Sequence, residues 1–548
     1  MTSPVIDAGD DLPLTLPRLW RKQARKYGER ILLACDDVRL SYAEADRRSA
    51  TLARGLLAAG VCKGSHVGLL YPNGADFLIG MLAAARIGAV VLPLSTLSTA
   101  DELRWLLANS DTGFLLAASE FRSHRYAEVL GAALPELDLS KPPPLRAATA
   151  PWLRRIWFSG ASPGGRHAGW SMSALESLAA EIDAACLEAV EDRVSPADRL
   201  AIIHTSGSTS HPKGVIHTHG AMIRHLDNIC ALRSYRADDV LYSTAPWFWI
   251  AGFGFSLLGP IVAGARTVCS NATEPGRILD LIERERPTIT TGYGTPLARL
   301  AADPSFEKRD LSSIRRGTLY PIMAPEARPR DPELRHNIYA MTEFGGTLSL
   351  GDTEKDLPER YRGSFGRVVP GYETKIIDPE TGEQRGAGEI GELWVRGPFL
   401  MEGYYGKPRS QTFEPDGWFR TGDLGLFDAE GFFYLKDRLG NMIKTSGANV
   451  SPREVEGVLG KLIGGQTCYV FGLPDPQRGQ VVAAVVVAEH DGDVDEDDLR
   501  RRLAEKLSSY KVPRRIFRFP NADVPLLGSG KIDMRRLAAL ARQRWQNA

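Results

Sequence analysis

Apolar residues in the first half of the chain follow two spacings. Tyr42–Gly60 (YAEADRRSATLARGLLAAG) and Glu102–Ser110 (ELRWLLANS) place them at the three- and four-residue steps of one helix face, and so predict helices. His66–Pro72 (HVGLLYP) is a short apolar run and predicts a strand. Asp76–Leu94 (DFLIGMLAAARIGAVVLPL) reads as a helix followed by a strand. Such alternation implies parallel sheets covered by helices, an α/β architecture. From about Gly363 to Leu435 the rhythm changes to short strands cut by turns (YETKIID, PETGEQRGAGEIG, ELWVRG, GWFRTGD, GFFYLKD), the pattern of a small antiparallel barrel or sheet. After Asp437 come mixed elements, EVEGVLG, VVAAVVVA and the charged helix DEDDLRRRLAEKL, enough for a compact α+β domain.

Trp247–Ala265 (WFWIAGFGFSLLGPIVAGA) is the most apolar stretch, but Gly252, Gly254, Gly259 and Pro260 interrupt it. A membrane span needs roughly 18–20 uninterrupted apolar residues, so this segment reads as a pocket wall and a short core helix. No transmembrane segment is expected. The first residues, MTSPVIDAGDDLPLTL, are acidic where a secretion signal would be basic, so a cytoplasmic location is expected. No internal repeat is present.

The 548 residues are 43% hydrophobic, which implies more than one domain. Lys plus Arg equals Asp plus Glu at 67 each, so no net field draws nucleic acid or an anionic membrane, and the expected partners are small molecules. The six cysteines lie far apart without metal-ligand spacing and read as free thiols.

His204–Gly214 (HTSGSTSHPKG) follows the apolar run LAII. Small hydroxyl residues and glycines after a strand make a loop rich in donors, and Lys213 adds a positive charge, a combination suited to polyphosphate. It is not a Walker A loop, because Pro212 precedes the lysine and Gly214 follows it.

Five segments in order carry a resemblance: TSGSTSHPKGV, YAMTEFG (339–345), GWFRTGDLG (417–425), YLKDRLGNMIKTSGANVSPREVE (434–456) and GSGKIDMRRL (528–537). Through them nearly the whole chain resembles the adenylate-forming superfamily of acyl-CoA synthetases, adenylation domains and beetle luciferases. The resemblance implies an ATP- and Mg²⁺-dependent activation of a carboxylic acid to its acyl-adenylate, then transfer to the thiol of coenzyme A. It divides the chain into an AMP-binding domain over 1–438, with the barrel-like subdomain at 363–437, and a mobile C-terminal domain over 439–548. Thr205, Ser206, Gly207, Ser208, Thr209 and Lys213 would hold the β- and γ-phosphates. Tyr339 would face adenine, Thr342 a phosphate and Glu343 the Mg²⁺. Asp423 would accept the ribose hydroxyls, with Arg438 beside it. Lys531 matches the lysine that bridges the acyl carboxylate and the α-phosphate, where two anions must approach. Lys444, with Ser446 and Gly447, would serve thiol transfer and the CoA pantetheine, and Gly440 would be the hinge between half-reactions.

Some positions depart from the family. Ser210 stands for a glycine in the phosphate loop, Ala340 for the glycine after the tyrosine, and Leu319–Asn337 lacks a Gly-Gly-Ala turn and looks shortened. Trp249 occupies a position where relatives carry histidine or, for amino-acid substrates, aspartate. Without that acid a substrate ammonium would be unpaired. Trp249, Phe253, Tyr293, Ala340 and Gly345, with the other aromatics of 247–255, read either as the wall of a pocket for an apolar or aromatic acid or as packed core. A separate carrier protein as acceptor, and a non-catalytic nucleotide-binding protein, are the alternatives; a monomer and a homodimer are equally compatible.

Overall fold

A computed structural model describes residues 12–160, 166–205, 212–292, 299–335, 337–439, 441, 443–445, 448–475, 478–489, 495–507, 511–527 and 530–546. Its contacts gather into two compact units, Met1–Glu373 with Arg396–Trp418, and Thr374–Val395 with Phe419–Ala548.

The first unit is built on two largely parallel sheets. In the larger, Arg199–Thr205, Val90–Pro93, His66–Leu70, Phe114–Ala118 and Arg155–Ser159 run parallel in that order, and Lys213–Thr218 and then Gly403–Tyr404 extend one edge antiparallel. The smaller runs Arg316–Gly317, Ile289–Thr291, Val240–Ser243, Arg266–Cys269, Ile31–Cys35, Val38–Ser41, and ends in an antiparallel hairpin. The predicted helices form where their start signals lie. Ser41 caps Tyr42–Ala58 by accepting from the Glu44 N–H, and Thr99 and Glu102 make a reciprocal capping box at Ala100–Asn109. Helix Ala75–Arg86 is buried over its whole circumference from Phe77 onward. That burial includes Arg86, whose guanidinium donates to Glu191 at 2.5 Å and Asp46 at 2.8 Å, so the charge is not stranded.

The apolar stretch after Trp247 becomes a π-helical segment, Ala251–Leu258, that continues as the α-helix Gly259–Ala263. Gly252 is required there, since a Cβ would lie 1.9 Å from the Pro246 carbonyl oxygen. In the segment 319–337 the chain makes three single turns, Tyr320–Ile322, Pro325–Ala327 and Pro332–Leu334, each with a proline in its first positions, where the missing N–H costs nothing. It then enters a three-stranded antiparallel sheet of Ile338–Met341, Gly346–Leu350 and Arg367–Val368.

In the second unit, Glu373–Ile377, Gly391–Arg396, Phe419–Phe427 and Phe433–Arg438 lie in sequence order as an open antiparallel sheet; among the described strands it does not close into a barrel. A second sheet is centred on Gly479–Val487, whose near-continuous apolar run is explained by burial on both faces. Val482, Ala484 and Val486 pack on one side with Leu459, Leu499 and Leu503, while Val481, Ala483 and Val485 pack on the other with Leu537 and Ala541.

Candidate functional site

The phosphate-loop motif is a strand-to-strand connection at the edge of the larger sheet. Thr205 ends one strand, Lys213 begins the next, and the two are register partners, as are His204 and Gly214. Ser206, Gly207, Ser208 and Thr209, which cross between them, lie outside the described residues, as do Tyr293, Gly440, Ser446 and Gly447. Gly214 permits close packing at the base of the loop, because a Cβ there would come within 2.7 Å of Ile202 and 3.3 Å of the His204 ring.

Thr342 and Glu343 sit on a single tight turn, Thr342–Phe344, closed by Gly345 in the left-handed conformation (φ 67°). The turn is tied down on several sides. The Tyr372 hydroxyl donates to the Phe344 carbonyl at 2.5 Å, the Met401 N–H donates to the Glu343 carbonyl at 2.9 Å, and the Tyr404 hydroxyl donates to Glu343 Oε1 at 2.7 Å. Glu343 is 7% exposed, an unusual setting for a carboxylate with no function. Among the described residues no cluster of three or more metal-ligating side chains exists, so an ion here would depend on one carboxylate together with substrate oxygens, the ligand set Mg²⁺ accepts. Glu343 fits that role.

Tyr339 and Ala340 fall on opposite faces of the strand Ile338–Met341. The tyrosine is buried against Phe344 and Phe365, with ring centroids 6.0 and 6.2 Å away, and Ala340 is exposed. Phe253 is fully buried on the π-helical segment, and Trp249, half-buried, packs edge-on against Phe248 with 5.6 Å between centroids. The same segment meets the end of the turn. A Cβ at Gly346 would strike the Phe255 ring at 2.2 Å, and one at Gly345 would lie 3.3 Å from His225.

His225 is one of several buried imidazoles near this turn. Among the described residues neither of its nitrogens has a hydrogen-bond partner, while His217 lies against the Thr342 backbone of the turn. Burial lowers His217 to about 4 and His225 to about 3, which keeps both rings neutral. His204, half-buried at the base of the phosphate loop, is lowered to about 4 by the partial desolvation of its ring.

In the second unit, Asp423 and Arg438 are cross-strand partners, with Arg438 Nε 3.2 Å from Asp423 Oδ1. The carboxylate is nearly buried while the arginine is half-exposed, so one side of the pair is open to a ligand. Lys444 lies on the strand Ile443–Thr445. Lys531 is exposed, on a turn in which its carbonyl accepts from the Leu527 N–H at 2.7 Å. The sequence motifs thus fall into the first unit (Thr205, Lys213, Tyr339, Thr342, Glu343) and the second (Asp423, Arg438, Lys444, Lys531). Tyr404 was not anticipated from sequence; nothing in its neighbourhood EGYYGKP distinguishes it from any strand tyrosine.

Comparison with known proteins bears on the whole chain. The profile of the AMP-binding enzymes matches residues 20–405, and that of the AMP-binding enzyme C-terminal domain matches residues 454–531. The putative acyl-CoA synthetase YngI of Bacillus subtilis (strain 168) is 30% identical over 541 residues, 95% of this chain and 96% of that one. A feruloyl-CoA synthase from an Amycolatopsis species is 34% identical over 505 residues, 90% and 92% of the two chains. The crystal structure of the anthranilate CoA ligase AuaEII in complex with anthranoyl-AMP has the same fold, with a TM-score of 0.78 at 24% identity over 97% of this chain and 99% of that one. Among the described residues no helix is long and apolar enough to cross a membrane. The chain therefore belongs to the AMP-binding enzymes of the adenylate-forming superfamily, and is an AMP-forming acid–thiol ligase of the acyl-CoA synthetase type.

Proposed function

We propose that this enzyme activates an apolar or aromatic carboxylic acid with ATP and transfers the acyl group to coenzyme A. The observation that carries the acid class is the aromatic segment 247–255, which meets the Thr342–Phe344 turn where the Phe255 ring packs on Gly346 and leaves the Trp249 ring half-buried. Trp247–Ala265 supplies no carboxylate to balance a substrate ammonium, which disfavours amino acids. The feruloyl-CoA synthase and the anthranilate CoA ligase, both named for aromatic acids, support the same reading.

In the first half-reaction a carboxylate oxygen of the acid attacks the α-phosphorus of ATP, the bond to the bridging oxygen breaks, and pyrophosphate leaves. In the second, the CoA sulfur attacks the acyl carbonyl of the mixed anhydride, AMP leaves with the bonding pair, and the thiol proton passes to solvent. Lys213, with Thr205 and the loop between them, binds the leaving phosphates, and Thr342 orients a phosphate oxygen. Asp423 and Arg438 hold the ribose. Glu343 would hold Mg²⁺, which when bound offsets phosphate charge. Lys531 draws together the acyl carboxylate and the α-phosphate, two anions that otherwise repel; at about 4 Å and an effective dielectric near 20 one positive charge interacts with each by about 4 kcal/mol before desolvation. Lys444, Ser446 and Gly447 serve the thiol step.

The deciding experiment is a panel of benzoates, cinnamates, fatty acids and amino acids, read as acid-dependent ATP–pyrophosphate exchange and as AMP release with and without CoA. Aromatic or fatty acids should support exchange, and CoA should accelerate AMP release. Exchange only with amino acids, or thioester formed only on a phosphopantetheinylated carrier, would contradict the proposal. Lys531→Ala should lower exchange at least about 100-fold; exchange at the wild-type rate would remove Lys531 from the chemistry.

A further inference from the structure

The phosphate-loop lysine and the turn carboxylate converge on one side chain that no motif marks. Tyr404 lies on the short strand Gly403–Tyr404, which pairs with Lys213–Thr218 so that Tyr404 stands opposite Val215. On either side the Glu402 N–H donates to the Ile216 carbonyl at 2.9 Å and the Tyr405 N–H to the Gly214 carbonyl at 2.8 Å. The ion pair of Arg199 with Glu402, 2.5 Å at its closest, ties this short strand to the strand that leads into the phosphate loop. So anchored, the phenol of Tyr404 donates to Glu343 Oε1 at 2.7 Å, and the Lys213 ammonium lies 5.2 Å from the centre of the Tyr404 ring.

Resting on the reading of Glu343 and Lys213 given above, we propose that Tyr404 is a positioning residue that couples the metal-binding carboxylate to the phosphate-binding lysine. A neutral partner suits both charges. The hydroxyl fixes the carboxylate by one oxygen and does not neutralise it, so its negative charge remains for a cation. The ring face attracts the ammonium by its quadrupole and leaves the positive charge for phosphate. A carboxylate or ammonium in place of Tyr404 would hold one of them and cancel its charge. Because Tyr404 is locked by backbone pairing to the strand that carries Lys213, movement of the loop base and rotation of Glu343 are linked through one rigid group.

Two substitutions in the full-length protein separate the two contacts. Tyr404→Phe removes only the hydroxyl, and Tyr404→Leu removes the ring face as well. ATP binding is measured by calorimetry across a Mg²⁺ titration, alongside kcat and KM for ATP and the thermal midpoint. A hydrogen bond to a charged group corresponds to about a tenfold effect or more. Tyr404→Phe should therefore raise the Mg²⁺ concentration for half-maximal enhancement of ATP binding about tenfold and raise KM more than it lowers kcat. Its metal-free ATP binding should stay within about twofold of wild type, and its melting should be unchanged. Tyr404→Leu should in addition weaken metal-free ATP binding severalfold, the cation–π share. If wild-type binding responds to Mg²⁺ and Tyr404→Phe follows the same curve, the coupling role is wrong while the reading of Glu343 survives. If wild-type binding ignores Mg²⁺, the reading of Glu343 falls and this proposal with it.

Discussion

Gly346 offers a direct test of how closely the turn packs on the aromatic wall. Its φ of 123° lies where an L-residue is strained, and a Cβ there would lie 2.2 Å from Phe255 Cζ and 2.6 Å from Cε2. Carbon atoms prefer separations of about 3.5 Å or more, so in Gly346→Ala the ring must shift by more than about 1 Å. Phe255 is only 8% exposed and has little room to do so. The backbone strain costs about 1–3 kcal/mol and the overpacking about 1–3 kcal/mol, a combined destabilisation of about 2–6 kcal/mol. Phe255→Leu deletes the atoms struck and by itself costs about 1–3 kcal/mol. In the double variant the steric share should vanish while the backbone share stays, which gives a favourable coupling of about 1–3 kcal/mol. Urea unfolding of wild type, both single variants and the double, followed by tryptophan fluorescence, measures it. Single-variant penalties that add to within about 0.5 kcal/mol would refute this packing, as would a Gly346→Ala cost below about 1 kcal/mol.

Other expectations follow from the same geometry. Asp423→Asn should weaken AMP binding about tenfold by calorimetry, yet shift the thermal midpoint little, because its half-exposed Arg438 partner makes the pair worth at most about 1 kcal/mol to folding. Histidines held neutral in the folded protein set an acid limit. His204 and His217 are lowered to about 4 and His225 to about 3, against about 6.5 in an unfolded chain, so the unfolded state binds more protons between these values. Their contribution is complete above about pH 6.5 and is lost as pH falls towards 4. For the two rings deepest in the core, lowering from about 6.5 to about 4 for His217 and to about 3 for His225 corresponds to about 3 and about 5 kcal/mol, so urea midpoints should fall steeply over that interval, and His225→Leu should flatten the slope. An unchanged slope in that variant would show that His225 takes up its proton without unfolding.

Much of this enzyme is legible in residue order because the relevant physics is local. Helix periods and caps depend on residues three or four apart, so Tyr42–Ala58 and Ala100–Asn109 form where their patterns and start signals lie. The loop from Thr205 to Lys213, the Thr342–Glu343 turn and the Asp423 motif are each contiguous, and the chemistry of their side chains points to a nucleotide and a cation before any fold is known. What residue order leaves open is what packing brings together over long separations. The bond from Tyr404 to Glu343 spans 61 positions and exists only because a two-residue strand adds to the sheet edge beside Lys213. The nitrogens of His225, without a partner among the described residues, become visible only once the surrounding core excludes water. The strands between 373 and 438 read equally as a barrel or a sheet, since alternation sets which face is apolar but not which edges meet; here they lie edge to edge and stay open. Local patterning therefore determined the elements and the reactive groups, and tertiary pairing decided which of those groups touch, because contact across a sheet edge or core depends on the summed packing of distant segments.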